Sequence, residues 1–332
     1  MKPRLTNLLC CPHCKQSLRL EVGKVEQVPF GDGSQTFEEV IEGRLLCAGC
    51  GKVYPIRSGV PRFVPEDGYV ENFSVQWQKL RSSSKPAKVN RTLLQFQNRT
   101  DFDIEKLSGQ WMLEAGCGAG RFVRLLSEHG VEIVGVDLSY GIDEVYKYVG
   151  RRPNVHLVHA SIFDLPFKDA AFDNVYSLGV LHHTPGTKRA FDCLPRLLKP
   201  GGRLAVWVYS SHNPNPWKFG QIYRKLTTRL PPKLLYYLCY AAVPMHYVYK
   251  IPLIGKLLSI VLRTDGHHPD PRFRVLNTFD YYAPKYQFLH RYDEVIRWFE
   301  EHGLEKIRVL KDAVAVAGSR PALPRQDSCQ IT

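Results

Sequence analysis

The stretch Met112-Leu-Glu-Ala-Gly-Cys-Gly-Ala-Gly-Arg121 decides the fold of this chain. Its apolar opening predicts a short buried strand, its glycines a turn, and Arg121 onward the start of a helix. Glycines at 116, 118 and 120 admit left-handed backbone and the close approach of a ligand, while a helix start offers N–H donors. Many nucleotide sites use such a turn, so alone it is weak evidence. Two acids sharpen it. Glu114 ends the first strand, and Val131-Glu-Ile-Val-Gly-Val-Asp137 predicts a second strand whose terminal carboxylate is placed to grip a ribose diol.

A dinucleotide site wants a third glycine where Arg121 stands, and Glu114 beside a pyrophosphate would be repelled. A carboxylate there suits an ammonium group. The two acids and the turn therefore favour S-adenosylmethionine, a sulfonium that carries an amino acid and a ribose; the plain alternative is a turn that only closes a βα unit. Downstream, Asn154 to His159 alternates into a strand, followed by Ala160-Ser-Ile-Phe-Asp-Leu-Pro-Phe167. Ala171-Phe-Asp-Asn-Val-Tyr-Ser-Leu-Gly-Val-Leu-His-His-Thr184 reads as another buried strand with its exit loop. Leu197-Leu-Lys-Pro-Gly-Gly-Arg-Leu-Ala-Val-Trp-Val-Tyr209 reads as a helix end, a Pro-Gly-Gly turn and a fifth strand.

With these ordered motifs the chain resembles the class I S-adenosylmethionine-dependent methyltransferases over residues 109–209 and again near its C-terminus. The resemblance implies an α/β fold: a Rossmann-like seven-stranded sheet spanning 109–320, with a mainly helical insertion at about 210–292 after the fifth strand. The final residues, 321–332, read as a flexible tail. The resemblance also implies roles. Glu114, Gly116, Cys117, Gly118 and Gly120 would hold the methionine end, Asp137 the ribose hydroxyls, Leu138 the adenine face, and Ser161 with Ile162 the adenine edge. Ser161 departs from the aspartate usual in the family, which predicts weaker cofactor binding because the bond loses charge assistance.

The nine cysteines are unevenly spread. Cys11-Pro-His-Cys14 and Cys47-Ala-Gly-Cys50 are two knuckles that match a structural zinc site of four thiolates, with disulfide pairing as the alternative. His13 points to solvent on this reading, Cys10 is a spare thiol, and Cys117, Cys193 and Cys239 are small buried residues. Arg19 to Val28 and Thr36 to Leu46 read as hairpin strands around Gly31-Asp-Gly33. Residues 1–65 thereby resemble the Trm112-like zinc ribbon, in which metal supplies folding energy that so small a module lacks. Residues 66–108 form a linker with helical stretches at Val70–Leu80 and Val89–Phe96. By resemblance, Phe73-Ser-Val-Gln-Trp77 would cover the cofactor pocket.

Net charge is +13, and no Asp or Glu occurs from Cys193 through Thr264. The basic residues there, Lys218 to Arg263 among them, suit anionic partners: a lipid headgroup, a phosphorylated small molecule or RNA. Leu234 to Tyr249 is uncharged and aromatic, and Pro244 together with its length argues against a membrane-spanning helix. A substrate lid, a membrane-interface patch and plain core all remain open. No segment near Met1 has the apolar core of a signal peptide, so a cytoplasmic location with peripheral membrane contact is expected.

Methyl transfer needs alignment first and a base only where the acceptor must lose a proton. His182 and His183 fall where the crevice of an open α/β sheet lies, and by resemblance Tyr282, Tyr286 and His290 would face the same site. The expected activity is methylation of oxygen or carbon on a small-molecule, glycan or lipid-linked acceptor. The alternatives are an rRNA or tRNA base methyltransferase and a non-catalytic scaffold.

Overall fold

The segment between the knuckles folds back on itself as alternation requires. In this computed structural model, which describes residues 1–64, 89–212, 215–261, 264 and 270–322, β1 (Leu18–Phe30) pairs antiparallel with β2 (Gln35–Cys47). Gly31 and Gly33 supply the left-handed backbone of the turn, with φ of 67° and 89°. Both strands run beyond the expected hairpin because cross-strand pairing continues to Phe30 and Gln35. Strands β3 (Val53–Arg57) and β4 (Val60–Pro61) complete a four-stranded sheet. The expected helix at Val70–Leu80 and the cover at Phe73–Trp77 lie outside the described residues, as does the tail from 323 onward.

The second sheet has seven strands: β5 (Trp111–Ala115), β6 (Glu132–Asp137), β7 (Val155–His159), β8 (Phe172–Leu178), β9 (Leu198–Trp207), β10 (Glu305–Val309) and β11 (Ala315–Ser319). Their order is β10-β11-β9-β8-β5-β6-β7, with β5 to β9 parallel and β10 and β11 antiparallel. The parallel strands are almost continuously buried, as strands covered on both faces must be. Lys199 to Gly202 belongs to β9, not to a helix end and a separate turn. A register shift beside Phe172 and the φ of 78° at Gly201 absorb the irregularity. Order reverses between β5 and β8, and the crevice at their C-terminal ends is the topological switch point. Helix α1 (Val89–Thr100) delivers fully buried Phe96 edge-on to Tyr176 of β8, 5.4 Å between centroids. Helices α2 (Arg121–Ser127), α3 (Gly141–Val145) and α4 (Thr187–Asp192) follow β5, β6 and β8.

The ribbon is continuous with this domain. Leu5, Leu9, Leu45 and Ile56 share one core with Val158, Phe167 and Phe172. Edge strand β7 is covered by the ribbon's exit: Arg62 bridges His159 in parallel and the Phe63 N–H donates to the His159 carbonyl at 2.8 Å. That pairing also protects an exposed sheet edge. Lys2 is buried, ion-paired to Glu39 at 3.2 Å and donating to the Val155 carbonyl at 2.7 Å.

After β9 come α5 (Asn215–Thr227), α6 (Pro232–Leu238), α7 (Ala242–Val248), α8 (Ile254–Val261) and α9 (Pro271–Tyr282), then α10 (Tyr292–Glu301) ahead of β10. Leu235, Cys239, Val275 and Phe279 form a small separate core. Buried Arg224 donates to the carbonyls of Tyr281 at 2.6 Å and Pro284 at 2.5 Å. Among the described residues no helix is long and apolar enough to cross a membrane.

Candidate cofactor pocket and metal centre

The turn after β5 is fixed by glycine for two reasons. Gly116, Gly118 and Gly120 hold φ of 89°, 51° and 70°, which side-chain-bearing residues rarely adopt. A Cβ at Gly116 would lie 2.4 Å from Val180, and one at Gly120 would lie 2.4 Å from Val145. At these two positions, close packing against neighbouring segments adds to the conformational demand. Gly120 serves as the N-cap of α2.

Asp137 at the end of β6 is anchored through both oxygens. Oδ2 accepts the Gly118 N–H at 2.7 Å, and Oδ1 accepts the Ser139 N–H at 2.8 Å and its hydroxyl at 2.6 Å. A carboxylate has lone pairs beyond these three donors, so its polar edge can still receive hydroxyls. Gly116, Gly118, Asp137, Leu138 and Ile162 line one pocket at the switch point, together with His183 and Thr184.

Four predicted residues stand elsewhere. Glu114 lies one residue before the pocket wall, buried beside Tyr176 and Arg121, with Oε2 lacking a partner among the described residues. Burial pushes its carboxyl up to about 8 against the pull of nearby Arg121. Cys117 is buried and its sulfur packs toward Gly135 of β6. Burial drives the Cys117 thiol well above its ordinary range. Ser161 is not at the pocket wall; its oxygen accepts the Phe163 N–H at 3.2 Å and caps the turn Ile162–Asp164. Gly120 is buried behind the turn.

The histidines separate by role. His182 is fully buried and stacked on Tyr209 at 3.8 Å, and its Nδ1 accepts the Tyr209 N–H at 3.2 Å. That bond places the proton on Nε2, which has no partner among the described residues. His182 is not among the residues that line the pocket. His183 does reach it. Its Nδ1 donates to the Tyr286 carbonyl at 3.0 Å, so Nε2 is the basic nitrogen of the neutral ring. Burial lowers the His183 pKa, opposed by the charge of Asp280. Tyr286 takes part through its carbonyl and stacks its ring on Phe288. His290 is buried between the Thr187 hydroxyl and Glu294, each at 3.0 Å, bracing α4 against α10. Tyr282 belongs to the insertion's core.

In the ribbon, the sulfurs of Cys11, Cys14, Cys47 and Cys50 all lie within 4.8 Å of one another, a donor set suited to tetrahedral zinc. Each knuckle closes alike: the Lys15 N–H donates to the Cys11 carbonyl and the Gly51 N–H to the Cys47 carbonyl, both residues at positive φ. His13 is exposed and Cys10 lies outside the cluster. The Tyr54 hydroxyl sits 3.1 Å from Cys11 Sγ, a neighbour of the ligand set that knuckle spacing does not reveal.

Residues 113–206 match the family model described as a methyltransferase domain, and residues 2–59 the one described as Trm112p-like protein. The chain thus joins a Trm112-like ribbon to a methyltransferase-type sheet. It is similar to O-methyltransferase resE of Aspergillus sclerotiorum, 36% identical over 34% of this chain and 46% of that protein. It is similar to demethylmenaquinone methyltransferase of Clavibacter sepedonicus, 34% identical over 32% of this chain and 44% of that one. It is also similar to tRNA U34 carboxymethyltransferase of Pseudoalteromonas atlantica, 34% identical over 31% and 33%. The match spans less than half the length of each of these relatives.

Proposed function

We propose that the chain is an S-adenosylmethionine-dependent methyltransferase that methylates a hydroxyl oxygen of a small acceptor. The observation that carries this reading is the Asp137 carboxylate, pinned to the glycine turn by Gly118 at a switch-point pocket that His183 also lines. The residues fit the cofactor: Asp137 for the ribose, Gly116 and Gly118 for the amino-acid end, and Leu138 and Ile162 for the adenine. The orphaned, buried Oε2 of Glu114 lies next along the chain to pocket-lining Ala115, and a ligand ammonium or a bridging water would satisfy it. When bound, the cofactor supplies an already electrophilic methyl group. The protein's task is then to align the acceptor and exclude water. His183 Nε2 takes the hydroxyl proton, and the Tyr286 carbonyl holds the ring in the tautomer that leaves Nε2 basic. The four thiolates would hold zinc, which contributes folding energy and no chemistry at the pocket.

Two relatives named O-methyltransferases, at 36% and 33% identity, support oxygen as the acceptor atom. An RNA acceptor is the second reading, favoured by the tRNA-modifying relative and the acid-free basic stretch. The test is calorimetry of S-adenosylmethionine on the zinc-loaded protein, followed by methyl transfer to hydroxylated aromatics and to tRNA. Micromolar binding lost in Asp137→Ala, with transfer to a hydroxyl that falls at least a hundredfold in His183→Gln, supports the reading. No binding by the wild type overturns it, and transfer to tRNA alone replaces the acceptor.

A further inference from the structure

We infer that the outer face of the insertion is a docking surface for membranes bearing anionic lipid headgroups. Ile222 and Leu226, one turn apart on α5, are 61% and 66% exposed. Helix α8 packs against α5 and presents Leu257 at 66%, preceded one turn earlier by Leu253 at 84%. Single exposed leucines are common on soluble proteins, but three large aliphatic side chains exposed on two packed helices, with Leu253 just before the second, make a surface that calls for a partner. Leu253 also holds a φ of 65°, a costly conformation for a residue with a side chain, and it displays that side chain outward. Tyr237 and Tyr247 add aromatic rings at 69% and 68% exposure, residues suited to the boundary between water and lipid.

Charge identifies the occupant. Lys225 and Lys233 are exposed on α5 and α6, and Arg229 and Lys250 just beyond the ends of α5 and α7, in a stretch of sequence without a carboxylate. Basic residues flanking an apolar face on helices too short to span a bilayer describe an interfacial element on an anionic leaflet. RNA fits less well. Single-stranded nucleic acid uses cations for phosphates and aromatic planes for bases, and it leaves Leu226, Leu253 and Leu257 without a function. Acyl chains give those leucines one.

The test is independent of catalysis. The full, zinc-loaded chain is sedimented with vesicles of phosphatidylcholine alone and of phosphatidylcholine mixed with phosphatidylglycerol, at low and raised salt. Binding is expected to the mixed vesicles, weakened by salt, and absent or far weaker on the neutral ones. Leu253→Ser and Leu257→Ser should each weaken it by about tenfold. Lys225→Ala with Arg229→Ala should remove the preference for anionic lipid. All these side chains are exposed, so unchanged thermal unfolding will show that each variant is folded. Absence of vesicle binding overturns the inference, as does wild-type affinity in the leucine variants or equal binding to neutral vesicles. A tRNA gel shift lost with the basic residues and indifferent to the leucines would overturn it in favour of nucleic acid. Because only binding is read, failure here leaves the methyltransferase reading standing.

Discussion

Substituting Asp137→Asn changes one atom and should disable the pocket. Three donors converge on the aspartate: the buried Gly118 N–H on Oδ2, and the Ser139 N–H and hydroxyl on Oδ1. Asparagine offers one oxygen. Whichever side that oxygen serves, the amide NH2 then faces a donor on the other. Hydrogen bonds to a charged group are worth about 1.5–3 kcal/mol net, and a buried N–H left unpaired costs about 1–3 kcal/mol. Asp137 is half-buried and water can partly rescue the Ser139 side, so a loss of about 2 kcal/mol is expected. For a chain of 332 residues that lowers the melting temperature by about 3 °C. Ligand affinity suffers separately, because bonds from ribose hydroxyls lose charge assistance; a fall of about 10- to 100-fold follows. Differential scanning calorimetry and titration of S-adenosylmethionine read the two effects. Ser139→Ala is the control, since it removes the hydroxyl donor and keeps both N–H bonds; its cost should stay near 1 kcal/mol. An asparagine variant within about 0.5 kcal/mol of wild type, with unchanged affinity, would refute the convergent-donor argument.

Glu114→Gln should flatten a pH dependence. Burial raises the folded-state pKa from 4.5 to about 8, so the folded protein keeps a proton that the unfolded chain releases between those values. Its stabilising contribution is therefore full below about 4.5 and lost as pH rises toward 8, a span on the order of 5 kcal/mol. The glutamine variant should flatten that slope, melt higher than wild type at pH 8 and bind S-adenosylmethionine more weakly. An identical slope would show that Glu114 is not its source. Gly59→Ala combines a φ of 74° with a Cβ 2.4 Å from the Tyr146 hydroxyl and 2.5 Å from its ring; it should cost about 2–4 kcal/mol by chemical denaturation. A cost under about 0.5 kcal/mol would mean the ring simply swings away. Stripping the metal with a chelator should lower both melting temperature and ligand affinity, because the ribbon shares its core with the sheet. A stripped protein that melts unchanged would contradict the shared core.

The parts of the fold legible in sequence are those written in local pattern. Met112 to Arg121 announces strand, turn and helix because apolar run, glycines and helix start are consecutive. Two Cys-x-x-Cys knuckles announce a metal site because their spacing brings each pair of sulfurs together. Contacts between distant segments left no such mark. His182 and His183 are adjacent and chemically identical, yet one is held by the Tyr209 N–H and the other by the Tyr286 carbonyl, and His183 lines the pocket while His182 does not. The bond from the Phe163 N–H to the Ser161 oxygen is likewise invisible in the sequence. The acid-free stretch overstates the basic field for the same reason. Arg196 and Lys199 are paired with Asp169 and Asp173 from upstream, and Arg224 is spent on two carbonyls inside the insertion.

These long-range contacts would let a structural metal in the ribbon bear on the pocket. The ribbon reaches the pocket along two short routes. In one, the Phe63 N–H holds the His159 carbonyl, and His159 Nε2 donates to the carbonyl of Leu138, a pocket residue, at 2.8 Å. In the other, Arg62 pairs with Asp143 on α3 at 2.5 Å while Gly59 sits against Tyr146; the neighbouring Val145 packs on Gly120 of the glycine turn. Neither route is a wire, since proximity becomes coupling only when the elements have a second arrangement to adopt. Metal loss supplies that arrangement. An unfolded ribbon withdraws Arg62 and Phe63, leaves β7 as a bare edge and frees α3 on the ligand's side of the sheet. The pocket then pays in ordering entropy for what the zinc-bound ribbon had already fixed.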